Sequence, residues 1–197
     1  MANTDPRKSL SLRCFRFLGS IGLTVHEETG ASGFTPGVDI RNGELFVDLS
    51  VATPSNLLHE AGHLATTPGQ YRKLMQTDVQ CGQREMLDSI DREGIEIDSP
   101  LFRAIMQCCD TEATAWAWAA GTHLGIPDDL IIADEDYQDE GESVRSCLAH
   151  NSYLGINGLA HAGFCCTRPH HTQITGKPAY PTLAFWIQPD DLSPRNN

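Results

Sequence analysis

The sequence predicts an α+β fold, and three stretches carry that expectation. Residues 33–50, "GFTPGVDIRNGELFVDLS", read as a hairpin. Val38 and Ile40 alternate with polar residues, Arg41-Asn42-Gly43 makes a turn, and Leu45, Val47 and Leu49 alternate again. Thr53-Pro54 then opens a helix, because Thr can accept from the free N–H groups of the first turn and Pro suits the first helical position. Ser99-Pro100 repeats that signal before "LFRAIMQCCDTEATAWAWAAGTHLG", which has no Pro and no Gly before Gly121. It reads as one long helix that ends at Gly125, with Pro127 just beyond.

The remaining elements are read in the same way. Residues 9–20 form an amphipathic first helix with Leu12, Phe15 and Leu18 on one side. The helix that starts at Pro54 stops near Pro68-Gly69. Residues 70–98 are polar and charged, with one helix (71–92) broken at Gly94, and read as an insertion directed away from any site. Residues 128–145 are acidic and read as a surface loop with a short helix, and 147–164 as helical with glycine interruptions. The tail 168–197 is Pro-rich, and Phe185 and Trp186 should dock it on the rest of the chain. No internal repeat or low-complexity tract divides the chain, so 1–197 is expected to be one domain.

Composition excludes several classes. Fourteen Lys and Arg against 26 Asp and Glu leave a net charge of −12, which repels phosphate backbones and argues against nucleic-acid binding. No apolar run approaches the length of a membrane span, and Arg13 and Arg16 interrupt the apolar part of the N-terminal stretch, so a cytoplasmic protein is expected. The seven cysteines are odd in number and contain no C-x-x-C, which fits free thiols rather than a disulfide framework or a zinc knuckle.

The chemistry is concentrated in "NLLHEAGHLA", residues 56–65, which holds His59, Glu60 and His63 as H-E-x-x-H. On a helix the two histidines lie about 40° apart and about 6 Å along the axis, so both imidazoles can reach one metal ion. Glu60 is displaced enough to reach a water rather than the metal. Gly62 costs roughly 1 kcal/mol of helix propensity against Ala, which makes sense where another backbone or a substrate passes close.

A catalytic zinc keeps three protein ligands and an open position. Candidates for the third are Asp110, Glu112, His123, His150 and His161. Glu112 is favoured. Ile105, Cys108, Ala115, Trp116 and Ala119 surround it at helical spacings, and a carboxylate on that apolar face is costly unless it is paired or bound to a metal. Its alternative is a bond to an arginine or a backbone amide. On one continuous helix Asp110 is about 200° from Glu112 and should face elsewhere, and His123 is about 16 Å further along.

"LLHEAGHLA" followed by "DTEATAWAWAAGTHLGIP" resembles the gluzincin-type metallopeptidases, and among them the ImmA/IrrE-like proteins. The resemblance covers residues 36–65 and 110–127. It implies a single zincin-like domain, with a small, mainly antiparallel sheet on the H-E-x-x-H helix and a second helix. It also implies Zn2+ held by His59, His63 and Glu112, with Glu60 as the base that activates a zinc-bound water. The expected function is a zinc-dependent hydrolase, most simply a peptidase acting on a peptide or protein substrate. Its alternative is an inactive metal-binding module that recognises a partner protein. Tyr153 and His161, in "HNSYLGINGLAH", are the candidates to stabilise the oxyanion.

Overall fold

The computed structural model describes residues 6–190 and residue 192; the expectation of a docked tail therefore extends partly outside the described residues. The chain is a mixed α+β structure. Helix α1 (Pro6–Ser20) leads into strand β1 (Val25–Glu27), and strands β2 (Val38–Arg41) and β3 (Glu44–Val47) form the hairpin. Asn42 and Gly43 both have positive φ, 50° and 75°, as a tight two-residue hairpin turn requires. Val38, Ile40, Leu45 and Val47 are all buried, so the alternation read in the sequence does mark the inner face of the sheet.

The sheet order is β1-β3-β2. β2 pairs antiparallel with β3, but β1 pairs parallel with it. The sheet is therefore half parallel rather than mainly antiparallel. The chain reverses twice between β1 and β3, so β3 runs in β1's direction when it lies beside it.

Helix α2 (Pro54–Thr66) carries the H-E-x-x-H motif. Thr53 caps it by accepting from the Asn56 amide at 3.1 Å. Nearly every residue of α2 is buried, because the sheet, α1 and later helices enclose it. The excursion after α2 is not an outlying insertion. A 3-10 turn (Gly69–Leu74) and helix α3 (Val79–Arg92) bury Tyr71, Met75, Met86 and Ser89. Asp78 caps α3, which moves its start eight residues beyond the 71 expected and leaves Thr77–Gln80 beside α2.

The expected long helix is two helices. Helix α4 (Pro100–Met106) stops, and helix α5 (Asp110–His123) starts after Gln107-Cys108-Cys109. The break makes Asp110 the first residue of α5 and Glu112 the third. α5 is buried on all sides through Ala113–Gly121, the pattern of a helix at the centre of a core. α2 packs on one of its faces and helix α8 (Leu154–His161) on the other. Between α5 and α8 lie α6 (Asp128–Ile131), a 3-10 turn (Asp134–Tyr137) and α7 (Gly141–Ala149). After α9 (Thr172–Thr175) the chain returns to α5, where the Trp116 indole donates to the Trp186 carbonyl at 2.8 Å. No helix among the described residues is long and apolar enough to cross a membrane.

Candidate metal centre

α2 presents its motif toward a cleft of about 600 Å³, within the range of ligand sites. Three walls meet there. Gly33 and Phe34 come from the loop before β2, His59, Glu60 and His63 from α2, and Thr77–Gln80 with Asp110 close the third side.

The third member of the cluster is Asp110. Ligand atoms of His59, His63 and Asp110 all lie within 4.8 Å of one another, the one such group of acids, histidines and cysteines among the described residues. His63 Nε2 is 3.3 Å from Asp110 Oδ1. A tetrahedral ion with bonds of 2.0–2.1 Å separates two of its ligand atoms by about 3.3 Å, so the spacing of this pair is compatible with two ligands of one such ion. The two imidazole rings stand edge to face with centroids 4.9 Å apart. The donor set, two imidazoles and a carboxylate, matches zinc chemistry. His63 Nδ1 is buried without a hydrogen-bond partner, so the ring's polar contact is the one Nε2 makes with Asp110.

The electrostatics suit a cation. Burial and, secondarily, His59 lower the His63 pKa to about 3, and burial lowers that of His59, with Asp110 opposing. Both imidazoles are thus neutral near pH 7, the form that binds metals. Burial raises the Glu60 pKa to about 7, reinforced by Asp110 and Asp39, while the buried Thr35 hydroxyl pulls the other way.

Glu112, expected as the third ligand, is not in the cluster. Its Oε2 accepts from the Cys109 amide at 3.2 Å and from the Thr111 hydroxyl at 3.0 Å, closing the first turn of α5 as a glutamate does at the third helical position. Its other oxygen lies against Gly158 of α8. Burial, partly offset by these bonds, raises its pKa. Asp110 and Glu112 do face different sides of α5, but it is Asp110 that meets the motif histidines and Glu112 that faces α8. α5 is buried on two sides, so the apolar neighbours of Glu112 mark the α8 side rather than the α2 side.

The two oxyanion candidates are also displaced from the cleft. His161 pairs with Asp98 at 3.7 Å and shares a separate pocket with Glu112. Tyr153 does not line the cleft; burial raises its pKa, opposed by the Thr114 hydroxyl. Of the other candidates, His123 packs between Phe17 and Trp186, and His150 bonds the Ser146 carbonyl at its own helix end.

Of the residues that meet here, Asp110 stands among the sequence's candidates behind Glu112, whereas Thr114 and Tyr137 do not stand among them. Acids at the first and third positions of α5 suit a helix start, but that becomes readable only once the break before Asp110 is seen. Thr114 lies four residues on, on Asp110's side of α5. Tyr137, in the 3-10 turn of the acidic segment, carries no signal in the sequence, because its approach to α2 is purely tertiary. Comparisons with protein-family models, curated proteins and solved structures returned no match.

Proposed function

We propose that the cleft is a zinc-dependent hydrolytic centre, most simply that of a peptidase. The observation that carries this reading is the convergence of His59, His63 and Asp110 beside a protonatable Glu60 in one open cleft. His59, His63 and Asp110 would hold the ion. When bound, zinc supplies Lewis acidity that acidifies water and polarises a carbonyl. Glu60 is the general base, one residue from His59 and lining the same cleft. It takes the proton of the attacking water and delivers it to the leaving amine. Asp110 is solvent-exposed while His63 is buried, so the centre opens on the side from which a substrate arrives. The zincin-like arrangement belongs to the same reading. A hairpin precedes the H-E-x-x-H helix, and a second helix supplies the acidic ligand, from Asp110 rather than Glu112.

The test is metal analysis with a peptide-library cleavage assay on wild type and Glu60→Gln. One zinc per chain, cleavage lost to a chelator and restored by zinc, and a zinc-loaded but inactive E60Q are expected. A zinc-loaded wild type that cleaves nothing would favour a metal-binding module that recognises a partner. A chain that holds no metal would overturn both.

A further inference from the structure

We infer that Tyr137 and Thr114 are positioning residues that fix the His59 imidazole, holding its Nδ1 so that Nε2 is turned to the metal. The inference rests on the zinc-site reading above.

The geometry is a triangle of polar atoms behind His59. The Thr114 hydroxyl and the Tyr137 hydroxyl each lie 3.4 Å from His59 Nδ1, and the two hydroxyls are 3.3 Å apart. These distances lie just beyond the usual hydrogen-bond range, so the contacts are long ones. A histidine that ligates through Nε2 carries its proton on Nδ1 and donates it to an outer partner. Here both oxygens can accept, and one hydroxyl can donate to the other. The Tyr137 ring stands edge to face with the His59 ring, with centroids 6.3 Å apart, so the phenol also packs against the imidazole it bonds.

The two hydroxyls come from elements that are themselves held. Thr114 is buried in α5, four residues after Asp110, so one helix face supplies both a ligand and a brace. Tyr137 ends the short turn Asp134–Tyr137, which is tied down along its length. Arg145 donates to Asp134 at 2.8 Å and to the Ile132 carbonyl at 2.6 Å. The Ala133 amide donates to Ser55 of α2 at 3.4 Å. The Asn56 amide, oriented with its NH2 toward Asp136, reaches both carboxylate oxygens at 2.9 Å. The acidic segment is therefore clamped to the start of α2, one turn before His59. His63 has no such support on its own Nδ1, so the brace is specific to one of the two histidines.

Zinc affinity, measured by competition with a chromophoric chelator, tests this on wild type, Tyr137→Phe, Thr114→Val and Thr114→Ser. Thermal unfolding of each metal-free form establishes that it folds. Y137F and T114V are expected to bind zinc about 10-fold more weakly, the lower end of what loss of an outer partner costs, and T114S to stay close to wild type. Folded Y137F and T114V that both match wild type would overturn the positioning role and leave the metal site standing. A wild-type chain that binds no zinc would overturn the metal site itself, and this inference with it.

Discussion

Gly62 of α2 lies directly against the main chain of Ala113 in α5: a Cβ at position 62 would sit 2.6 Å from the Ala113 carbonyl oxygen and 2.9 Å from its Cα. The glycine sets how closely the two helices approach, and that approach brings Asp110 to His63. Gly62→Ala gains helix propensity but must push α5 away. We expect a net loss of about 2 kcal/mol by chemical denaturation, from overpacking that outweighs the propensity term. Zinc affinity should fall along with stability. A stable Gly62→Ala variant with unchanged zinc affinity would show that the helix approach does not set the site.

The two acids of α5 should separate cleanly. Asp110→Asn should weaken zinc binding by more than the roughly 10- to 100-fold that loss of an outer-shell partner costs. Glu112→Gln keeps an acceptor for the Cys109 amide and should leave zinc affinity within a few-fold of wild type. Isothermal titration of the two variants side by side decides between the carboxylates, and the reverse order would restore Glu112 as the ligand.

Glu112 should instead behave as a stability residue. Glu112→Ala removes the acceptor for Cys109 and Thr111 and should cost about 1 kcal/mol, the usual loss of a cap. His161→Ala, on the same side of α5, should change neither zinc binding nor any cleavage activity. Unfolding curves and the cleavage assay check the two independently.

Glu60 gives the metal-free protein a pH signature. Its folded pKa is raised, from 4.5 to about 7, by burial. The folded state therefore binds a proton more tightly than the unfolded state, and stability is lost as pH rises from about 4.5 through about 7. Glu60→Gln carries no charge at any pH. It should be more stable than wild type at pH 8 by about 3 kcal/mol, and the advantage should vanish near pH 4.5. Denaturation of the chelator-treated proteins at both pH values measures it, and a gain that is equal at both would contradict a buried ionising carboxylate.

His63 acts in the opposite sense. Its pKa is depressed to about 3 from 6.5, so the unfolded chain takes up a proton that the folded chain refuses. Stability of the metal-free protein should fall as pH drops from about 6.5 toward 3. Between 4.5 and 6.5 this slope and that of Glu60 cancel, so E60Q should show the acid-side loss more clearly than wild type. Unfolding midpoints collected across that range on E60Q provide the check.

The features that were legible in the sequence are those decided within a few residues. The Asn42-Gly43 hairpin follows from a turn and a period of two, and the Thr53 cap from a hydroxyl three residues before the amide it binds. Gly62, a costly residue inside a helix, marks a close approach by a backbone or a substrate, and it is the backbone of Ala113 that passes there. The helix break at Gln107-Cys108-Cys109 was not legible, because nothing in the composition of 101–125 forbids a continuous helix.

By itself, then, the sequence determined an α+β chain with two histidines and a glutamate on one turn-and-a-bit of a buried helix, because i and i+4 positions converge whatever surrounds them. Only the tertiary structure decided the rest. α5 is apolar enough to be buried on every side, so its own pattern cannot say which face meets α2 and which meets α8. The packing of α2 through Gly62 chose the face that carries Asp110 and Thr114, sent Glu112 to α8, and brought Tyr137 in from a segment more than seventy residues from His59. Contacts between distant elements are selected by how whole surfaces fit, and no local spacing encodes that choice.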